Sequence, residues 1–357
     1  ILFLTTLQLD INGSSHPYVT DVGEIQNALP RWGTIHFTGY PQFTFLGSVF
    51  VWFMGLLGLA PAAAASLYSA VWGGVAIGLL SYLCTTLGVP PLASSAVALL
   101  FGLSISFWVD ASIAEVHTMT MALSFGAILA AIRFGRTGRK VDLYWLAFLT
   151  GQGLAHQRAF AFIGLGLLVL VIDRWRSVWR SLPAVIGLFL LGPLTYIYLP
   201  VRAWMGAEWT FNAPGTWSGF WSLVFDNKAD RIVEAPEAAT VWLERVEGVS
   251  RLLADDWPWP LIILGLAGLL VAGSINRRER LGLNLIWIPV LAVSLIIWIG
   301  RVGEAVLANK LPVVAMAAIG LGLISQSLWE RRAALGQALA IVGLLLAGTL
   351  FLASAAV

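Results

Sequence analysis

The sequence has few charged residues and almost no cysteine. Only 11% of its 357 residues are charged, whereas soluble domains carry about a quarter, so an ordinary water-soluble enzyme is excluded. Cys84 is the single cysteine, which excludes an intrachain disulfide and a CxxC redox motif. The sequence also lacks the P-loop, GxSxG and HExxH motifs and any basic patch typical of nucleic-acid binding.

Apolar residues are correspondingly abundant. They make up 59% of the chain, with 17 tryptophans and a mean hydropathy of +0.84. Several apolar runs approach the roughly 20 residues that cross a hydrocarbon core as a helix. The run 261–273 lacks the alternation that a barrel strand requires. The composition therefore predicts an all-α fold, a polytopic membrane helical bundle.

The apolar segments predict where the helices lie. They cover residues 1–9, 41–58, 62–87, 90–108, 116–134, 143–155, 159–172, 182–200, 257–273, 281–300, 311–328 and 337–357. Segment 41–58 begins with polar residues and meets Pro61 almost at once, so we interpret it as an outer juxtamembrane helix that does not cross. The other segments predict about 11 spans. Because the chain begins inside an apolar run, we expect that part of the first helix is missing.

Short basic linkers predict the orientation of these spans. They lie at 133–140, 174–180, 277–280 and 331–332. Short loops rich in Lys and Arg stay in the cytoplasm. With every other segment crossing, all four basic linkers fall on the cytoplasmic side only if segment 41–58 does not cross the membrane. The protein is therefore predicted to be an integral, multi-pass membrane protein, in the plasma membrane if bacterial and in the endoplasmic reticulum if eukaryotic.

This topology divides the chain into three parts. They are a transmembrane core at 1–201 with its first outer loop at 10–40, an extracytoplasmic loop at 202–256, and C-terminal transmembrane helices at 257–357. Within the second part, Trp242, Val246, Val249 and Leu253 recur at helical spacing. This spacing predicts a helix lying on the membrane surface.

The first outer loop carries two carboxylates, Asp21 and Glu24. Carboxylates three residues apart at the start of a helix share one face, where they can act as a general base and its support. The same spacing suits a helix cap, with Asp21 as the N-cap and Glu24 three residues later. The two interpretations are compatible, because a cap also holds a catalytic carboxylate in place.

A second acidic turn is predicted on the same side of the membrane. It contains Asp110, Glu115 and His117, at the boundary between two spans. An acid at the mouth of a span is costly and often marks a functional site. Glu115 also suits the start of the next helix, where a carboxylate is favoured by the helix dipole.

The remaining candidates are basic or imidazole side chains, which suit a phosphate. They are His36, His117, His156, Arg158, Arg301 and Lys310. The alternative for His156 and Arg158 is that they only snorkel to the interface at a helix end. No pair of histidines has the spacing of a metal motif, so we predict no cofactor, and a divalent metal held by the carboxylates is left as an alternative that no motif supports.

Several motifs resemble those of a known family. They are Thr20–Ile25 with His36–Pro41, which resemble an acidic loop and an HPPGYP-type segment; Ser106–Trp108 with Ala114–His117; Gly153–His156; and Tyr196–Arg202 with Trp209 and Asn212. Phe37 and Thr38 stand where the family usually has prolines, and His117 stands where it usually has tyrosine. Together the motifs resemble the protein O-mannosyltransferase-like family of the GT-C glycosyltransferase superfamily.

The resemblance implies a GT-C fold with an active site under the first outer loop, beside a groove for lipid. Such enzymes transfer a sugar from a polyprenyl-phosphate carrier to an acceptor hydroxyl, usually with inversion. The family's catalytic carboxylate corresponds to Asp21. The implied partners are membrane lipid, a polyprenyl-phosphate sugar with mannose favoured, and a protein or glycan acceptor, protein Ser or Thr above all.

A non-enzymatic membrane protein is the alternative. A transporter should carry charged residues in the middle of its spans, but the charges here are predicted at span ends. A non-catalytic subunit of a larger complex, or an inactive relative, would tolerate replacement of Asp21. The sequence leaves the oligomeric state open.

Overall fold

The fold is a bundle of α-helices. The computed structural model describes residues 2–13, 20–225, 239–296 and 310–354, and no β-strand occurs in these ranges. Its helices are α1 (Thr20–Ala28), α2 (Pro41–Leu56), α3 (Pro61–Thr86), α4 (Pro91–Gly102), α5 (Ile105–Ser112), α6 (His117–Thr137), α7 (Lys140–His156), α8 (Gly164–Val171), α9 (Trp175–Arg180), α10 (Leu182–Leu190), α11 (Tyr198–Trp204), α12 (Trp217–Phe225), α13 (Ala239–Asp256), α14 (Trp259–Val271), α15 (Arg277–Ile296), α16 (Leu311–Arg331) and α17 (Ala333–Ser354). Short 3-10 turns join several of them, and the all-α prediction is confirmed.

Several of these helices are long and apolar enough to cross a membrane. Among the described residues, four helices have the length and the apolar composition of a membrane span: Pro61–Thr86, His117–Thr137, Leu182–Trp204 and Leu311–Arg331. Two bent pairs raise the number to six if each pair is one span: α4 with α5 at 72°, and α13 with α14 at 94°. The apolar composition and these helices agree with a multi-pass membrane protein, while the number of about 11 spans stays a prediction.

Contacts between α3 and α6 define two ends of the bundle. Near the start of both helices, the Ser69 hydroxyl donates to the backbone oxygen of Glu115 at 2.8 Å. Near their other end, Arg136 donates to the backbone oxygen of Thr86. We call the end with the Ser69 contact the site end. We call the end with the Arg136 contact the basic end, because the basic linkers 133–140 and 277–280 both lie at that end.

Helix α2 stays at the site end. Its Phe43 and Phe50 both contact Tyr68, with ring centroids 5.0 and 5.4 Å apart, and Tyr68 lies only two turns into α3. Phe43 also lies beside His156, the last residue of α7. A helix of 16 residues is about 24 Å long, shorter than the roughly 30 Å hydrocarbon core. These contacts agree with the predicted juxtamembrane helix.

Glycines permit close contacts between helices in this bundle. A Cβ atom on Gly320 of α16 would collide with the backbone oxygen of Gly265 in α14. A Cβ atom on Gly151 of α7 would collide with the backbone of Phe189 in α10. Both pairs of helices therefore pack backbone against backbone.

A helix is present where the spacing predicted one within 202–256, as α13, and its position on the membrane surface stays a prediction. Val249 and Leu253 are buried, while Trp242 and Val246 on the preceding turns are 37% and 46% exposed. The helix therefore packs through its second half and through Arg245, which is 6% exposed and donates to the backbone oxygen of Leu295 at 3.1 Å. It ends in Asp256, whose carboxylate accepts a hydrogen bond from the backbone N–H of Ser106 at 2.7 Å.

The basic end is held by ion pairs between helices. Arg136 of α6 makes a two-pronged contact with Glu279 of α15, at 2.6 and 2.9 Å, and Arg133 pairs with Asp142 of α7 at 3.0 Å. The Glu279 side chain is 1% exposed. A carboxylate this deeply buried is tolerated because the guanidinium compensates its charge.

Replacing Arg136 with alanine is expected to destabilise the protein by about 3 kcal/mol, because it leaves Glu279 buried without its partner. The double variant R136A/E279Q removes the uncompensated charge and should recover part of this loss. Thermal unfolding in detergent measures both variants. Equal stabilities of R136A and the wild-type protein would contradict the structural importance of this pair.

Candidate active site

Helix α1 and the segment after it bring three of the predicted site residues together. The Nδ1 atom of His36 lies 2.6 Å from Glu24 Oε2, and the His36 backbone N–H donates to Glu24 Oε1 at 3.0 Å. The Nε2 atom of His36 lies 3.4 Å from Asp21 Oδ2. We call Asp21, Glu24 and His36 the acidic cluster.

The two carboxylates of the cluster differ in exposure. The Asp21 side chain is 50% exposed and the Glu24 side chain 16%. Both oxygens of Glu24 contact His36, so Glu24 anchors the imidazole. Because Asp21 lies within α1 and faces His36, the pair does more than cap a helix. Asp21 is the member of the cluster that a substrate can reach.

The cluster also has a geometry that a divalent cation can use. One ligand atom from each of its three residues lies within 4.8 Å of the others, and carboxylate and imidazole groups bind many divalent metals. The absence of a metal requirement stays a prediction.

The chain around residues 198–211 holds the segment before His36. The Tyr198 hydroxyl donates to the backbone oxygen of Gly33 at 3.1 Å, and Arg202 Nε donates to that of Trp32 at 2.6 Å. The backbone N–H of Thr34 donates to the backbone oxygen of Trp209 at 3.0 Å. These contacts give a structural role to the Tyr196–Arg202 motif and to Trp209.

Gly39 closes the turn after His36. Its φ of +81° lies in the left-handed region, which glycine adopts without strain. A side chain there would also meet Leu199. The turn therefore needs glycine, and it places Tyr40 beside His36, with ring centroids 5.5 Å apart.

Glu115 lies buried in the turn between α5 and α6, as the sequence indicated for an acid at the mouth of a span. Its backbone N–H donates to the Ser69 hydroxyl at 2.9 Å, and its Oε2 atom lies 3.9 Å from His117 Nε2. Burial, followed by the nearby charges of Asp110 and Asp21, raises the pKa of Glu115 well above its usual range. The protonated carboxyl is therefore favoured, and it can donate a hydrogen bond.

This raised pKa predicts how stability depends on pH. Unfolded glutamate titrates near pH ~4.3, so between that pH and the raised pKa the folded state holds a proton that the unfolded state has lost. Stability contributed by the neutral carboxyl is thus present at low pH and lost as pH rises. E115Q mimics the neutral form, so we expect it to equal the wild-type protein near pH 4 and to melt at a higher temperature at pH 8. If the difference in melting temperature between E115Q and the wild-type protein is the same at pH 4 and at pH 8, the raised pKa of Glu115 is contradicted.

Tyr40 is a site residue that the motif search did not select. Its pKa is raised, mainly by burial and then by the charges of Asp21 and Glu115, whereas Arg158 lowers it. Tyr40 therefore lies within electrostatic reach of both carboxylates and of the guanidinium. Its place in the His36–Pro41 motif was the available signal.

His156 lies behind the site rather than on its surface. It is fully buried, and its Nε2 atom lies 3.0 Å from the backbone oxygen of Val116. Its ring contacts Tyr40 and Phe43. In this structure it positions the turn that carries Glu115, so its predicted contact with phosphate would need a rearrangement.

The three basic candidates have different surroundings. Arg158 is exposed just after the end of α7, and its charge acts to lower the pKa of Tyr40. Lys310 is 3% exposed and pairs with the buried Asp256 at 3.1 Å, so its predicted binding of phosphate would require this pair to break. Arg301 lies outside the described residues.

Comparisons with known proteins agree with the geometry. Residues 21–179 match the family model "Protein O-mannosyl-transferase TMEM260 N-terminal domain", a range that contains every member of the acidic cluster, Glu115 and Arg158. The match covers less than half of the chain, so it shows that this N-terminal part is similar to an O-mannosyl-transferase family. A comparison with curated proteins gives no significant match.

Two solved structures share the fold of this chain. They are ArnT from Cupriavidus metallidurans in the apo state, with 14% identity and a TM-score of 0.57, and the same protein bound to undecaprenyl phosphate, with 16% identity and a TM-score of 0.59. Each match covers 90% of this chain and 57% of the ArnT chain. The chain therefore has the GT-C fold and spans little more than half the length of these structures.

Proposed function

We propose that the protein is a membrane glycosyltransferase that moves a sugar, mannose being favoured, from a polyprenyl-phosphate carrier to an acceptor hydroxyl. Protein Ser or Thr is the proposed acceptor. The observation that carries this proposal is the half-exposed Asp21, held by a partly buried His36–Glu24 pair, within a region that matches an O-mannosyl-transferase family. The ArnT structure with undecaprenyl phosphate supports a lipid-phosphate donor.

The proposed mechanism is a single in-line displacement. Asp21 accepts the proton of the acceptor hydroxyl as the acceptor oxygen bonds to the anomeric carbon. The bond from that carbon to the carrier phosphate breaks, and the phosphate leaves with the electron pair. Arg158 stabilises its charge, and the protonated Glu115 donates to a sugar or acceptor hydroxyl. Because phosphate is a good leaving group, the mechanism needs no metal.

The positive-inside rule supports an extracytoplasmic site. The basic linkers lie at the end of the bundle opposite the acidic cluster, and short basic loops stay in the cytoplasm. The acidic cluster would then face the outside of a bacterial plasma membrane or the lumen of the endoplasmic reticulum.

Transfer by the purified protein tests this function. The protein in nanodiscs is given polyprenyl-phosphate mannose, then other polyprenyl-phosphate sugars, with a Ser/Thr peptide and a membrane extract as acceptors. Mass spectrometry should detect a glycosylated product whose formation is lost in D21N. If no donor is bound or consumed, the alternative of a non-catalytic subunit or an inactive relative takes the place of this proposal.

A further inference from the structure

Helix α9, at the basic end, combines two tryptophans with two arginines. Trp175 and Trp179 are four residues apart and therefore share one face of the helix; they are 55% and 63% exposed. Arg176 and Arg180 have the same spacing on the adjoining positions and are exposed as well. The Arg176 guanidinium lies over the Trp175 ring, 5.6 Å from its centroid, which is a cation–π distance. The helix thus presents aromatic rings and positive charges side by side.

Contacts of the residue before α9 fix this helix at the point where a span begins. Arg174 donates from Nε to the backbone oxygen of Gly135 at 3.3 Å and from Nη2 to that of Arg136 at 3.1 Å. Both acceptors belong to the last turn of α6, so two of the basic linkers meet here. The apolar span Leu182–Trp204 follows α9 directly, and most of its side chains lie on the surface of the bundle. Helix α9 is therefore at the depth of the lipid headgroups, where tryptophan is enriched.

The positive charge of α9 is not balanced by the protein. The nearest carboxylate in the sequence is Asp173, and it already pairs with Arg278 at 3.0 Å. Among the residues that the structure describes, no carboxylate pairs with Arg176 or Arg180. Two like charges four residues apart on a helix repel each other. An anion bound between the two guanidinium groups relieves this repulsion.

We propose that the exposed face of α9 is a binding site for an anionic phospholipid. Arg176 and Arg180 bind the phosphate, whose oxygens suit guanidinium groups. The rings of Trp175 and Trp179 lie between the headgroup and the acyl chains, and the acyl chains run along the exposed side of α10. The tryptophans and the adjoining lipid-facing span favour a lipid over a soluble phosphate, which would use the arginines alone. This site lies at the opposite end of the bundle from the acidic cluster and does not depend on the proposed sugar transfer.

The test measures lipid binding by the whole chain purified in detergent. Native mass spectrometry during a titration with phosphatidylglycerol gives the apparent Kd of the bound lipid, and phosphatidylcholine serves as the lipid without net charge. We expect R176Q/R180Q to weaken the binding of phosphatidylglycerol by about 25-fold, because each basic side chain near an anionic lipid surface contributes about fivefold. R176K/R180K keeps the charges but loses the planar geometry that suits phosphate, and should fall between this variant and the wild-type protein. W175A/W179A keeps both arginines and should also bind phosphatidylglycerol more weakly.

A matched control separates a built site from general attraction to the basic end. R331Q/R332Q removes two neighbouring exposed arginines of that end and should keep binding close to the wild-type value. Equal losses in R331Q/R332Q and R176Q/R180Q would overturn the proposal, as would wild-type binding by R176Q/R180Q or equal binding of phosphatidylglycerol and phosphatidylcholine. Glycerol phosphate is the soluble headgroup. If it binds as tightly as phosphatidylglycerol, α9 takes a free anion and the lipid site is wrong.

Discussion

Replacing Asp21 with asparagine is expected to lower kcat for sugar transfer by about 10³-fold, within the range that general-base catalysis contributes. Asparagine keeps the shape of aspartate but cannot accept a proton at neutral pH. Half of the Asp21 side chain is exposed, so the change leaves little buried polar surface unsatisfied. Initial rates with polyprenyl-phosphate mannose and a peptide acceptor measure the effect, and KM for the donor should change little.

Asp10 provides the matched control for this experiment. It lies in the same outer segment, is exposed and is no member of the acidic cluster, so D10N makes the same chemical change away from the site. We expect D10N to retain wild-type kcat. Transfer that survives in D21N would remove Asp21 from the mechanism while leaving the enzyme class intact.

The helices could be predicted because their apolar runs are long and are separated by proline, glycine or charge. Pro41, Pro61 and Pro91 each begin a helix, as proline does at a first helical turn. The bend between α4 and α5 was not predicted, since residues 90–108 read as one apolar run. A sequence shows how apolar a segment is, but a bend depends on what packs against it.

The carboxylates of the site could be predicted for a related reason. Asp21, Glu24 and Glu115 are acids beside apolar spans, where an ionisable group is costly and rarely kept without a use. The roles of His156 and Lys310 could not be predicted in the same way. Each contacts a group far away in sequence, the backbone of Val116 for His156 and Asp256 for Lys310, and no local pattern reveals such a partner.

The fold also shows why the motifs are spread over so much of the chain. The acidic cluster is local to residues 21–36, yet its backbone is held by Tyr198 and Arg202. Glu115 is held by Ser69 of another helix. A site between helices must be built from several distant segments, so a family resemblance found through scattered motifs is what this architecture predicts.

Replacing Arg158 with alanine is expected to lower kcat by about 10²-fold or more, as removal of a group that stabilises developing charge does in other enzymes. Arg158 is exposed at the site end and acts on Tyr40 with a sign opposite to that of Asp21 and Glu115, so positive and negative groups meet around this tyrosine. R158K keeps the charge but loses the planar, two-pronged geometry that suits phosphate, and should fall between the alanine variant and the wild-type protein. Single-turnover rates with a saturating donor separate the chemical step from binding.

The proposed leaving group gives this prediction a sharper form. If Arg158 stabilises charge on the departing phosphate, its loss should matter less for a donor whose phosphate is more acidic and leaves more easily. A polyprenyl-diphosphate sugar is such a donor, so the ratio of wild-type to R158A rates should be smaller with it than with the monophosphate. R331A, which removes an exposed arginine at the basic end, should leave both rates unchanged. An equal loss in R158A with both donors would place Arg158 in substrate binding rather than in the departure of the phosphate.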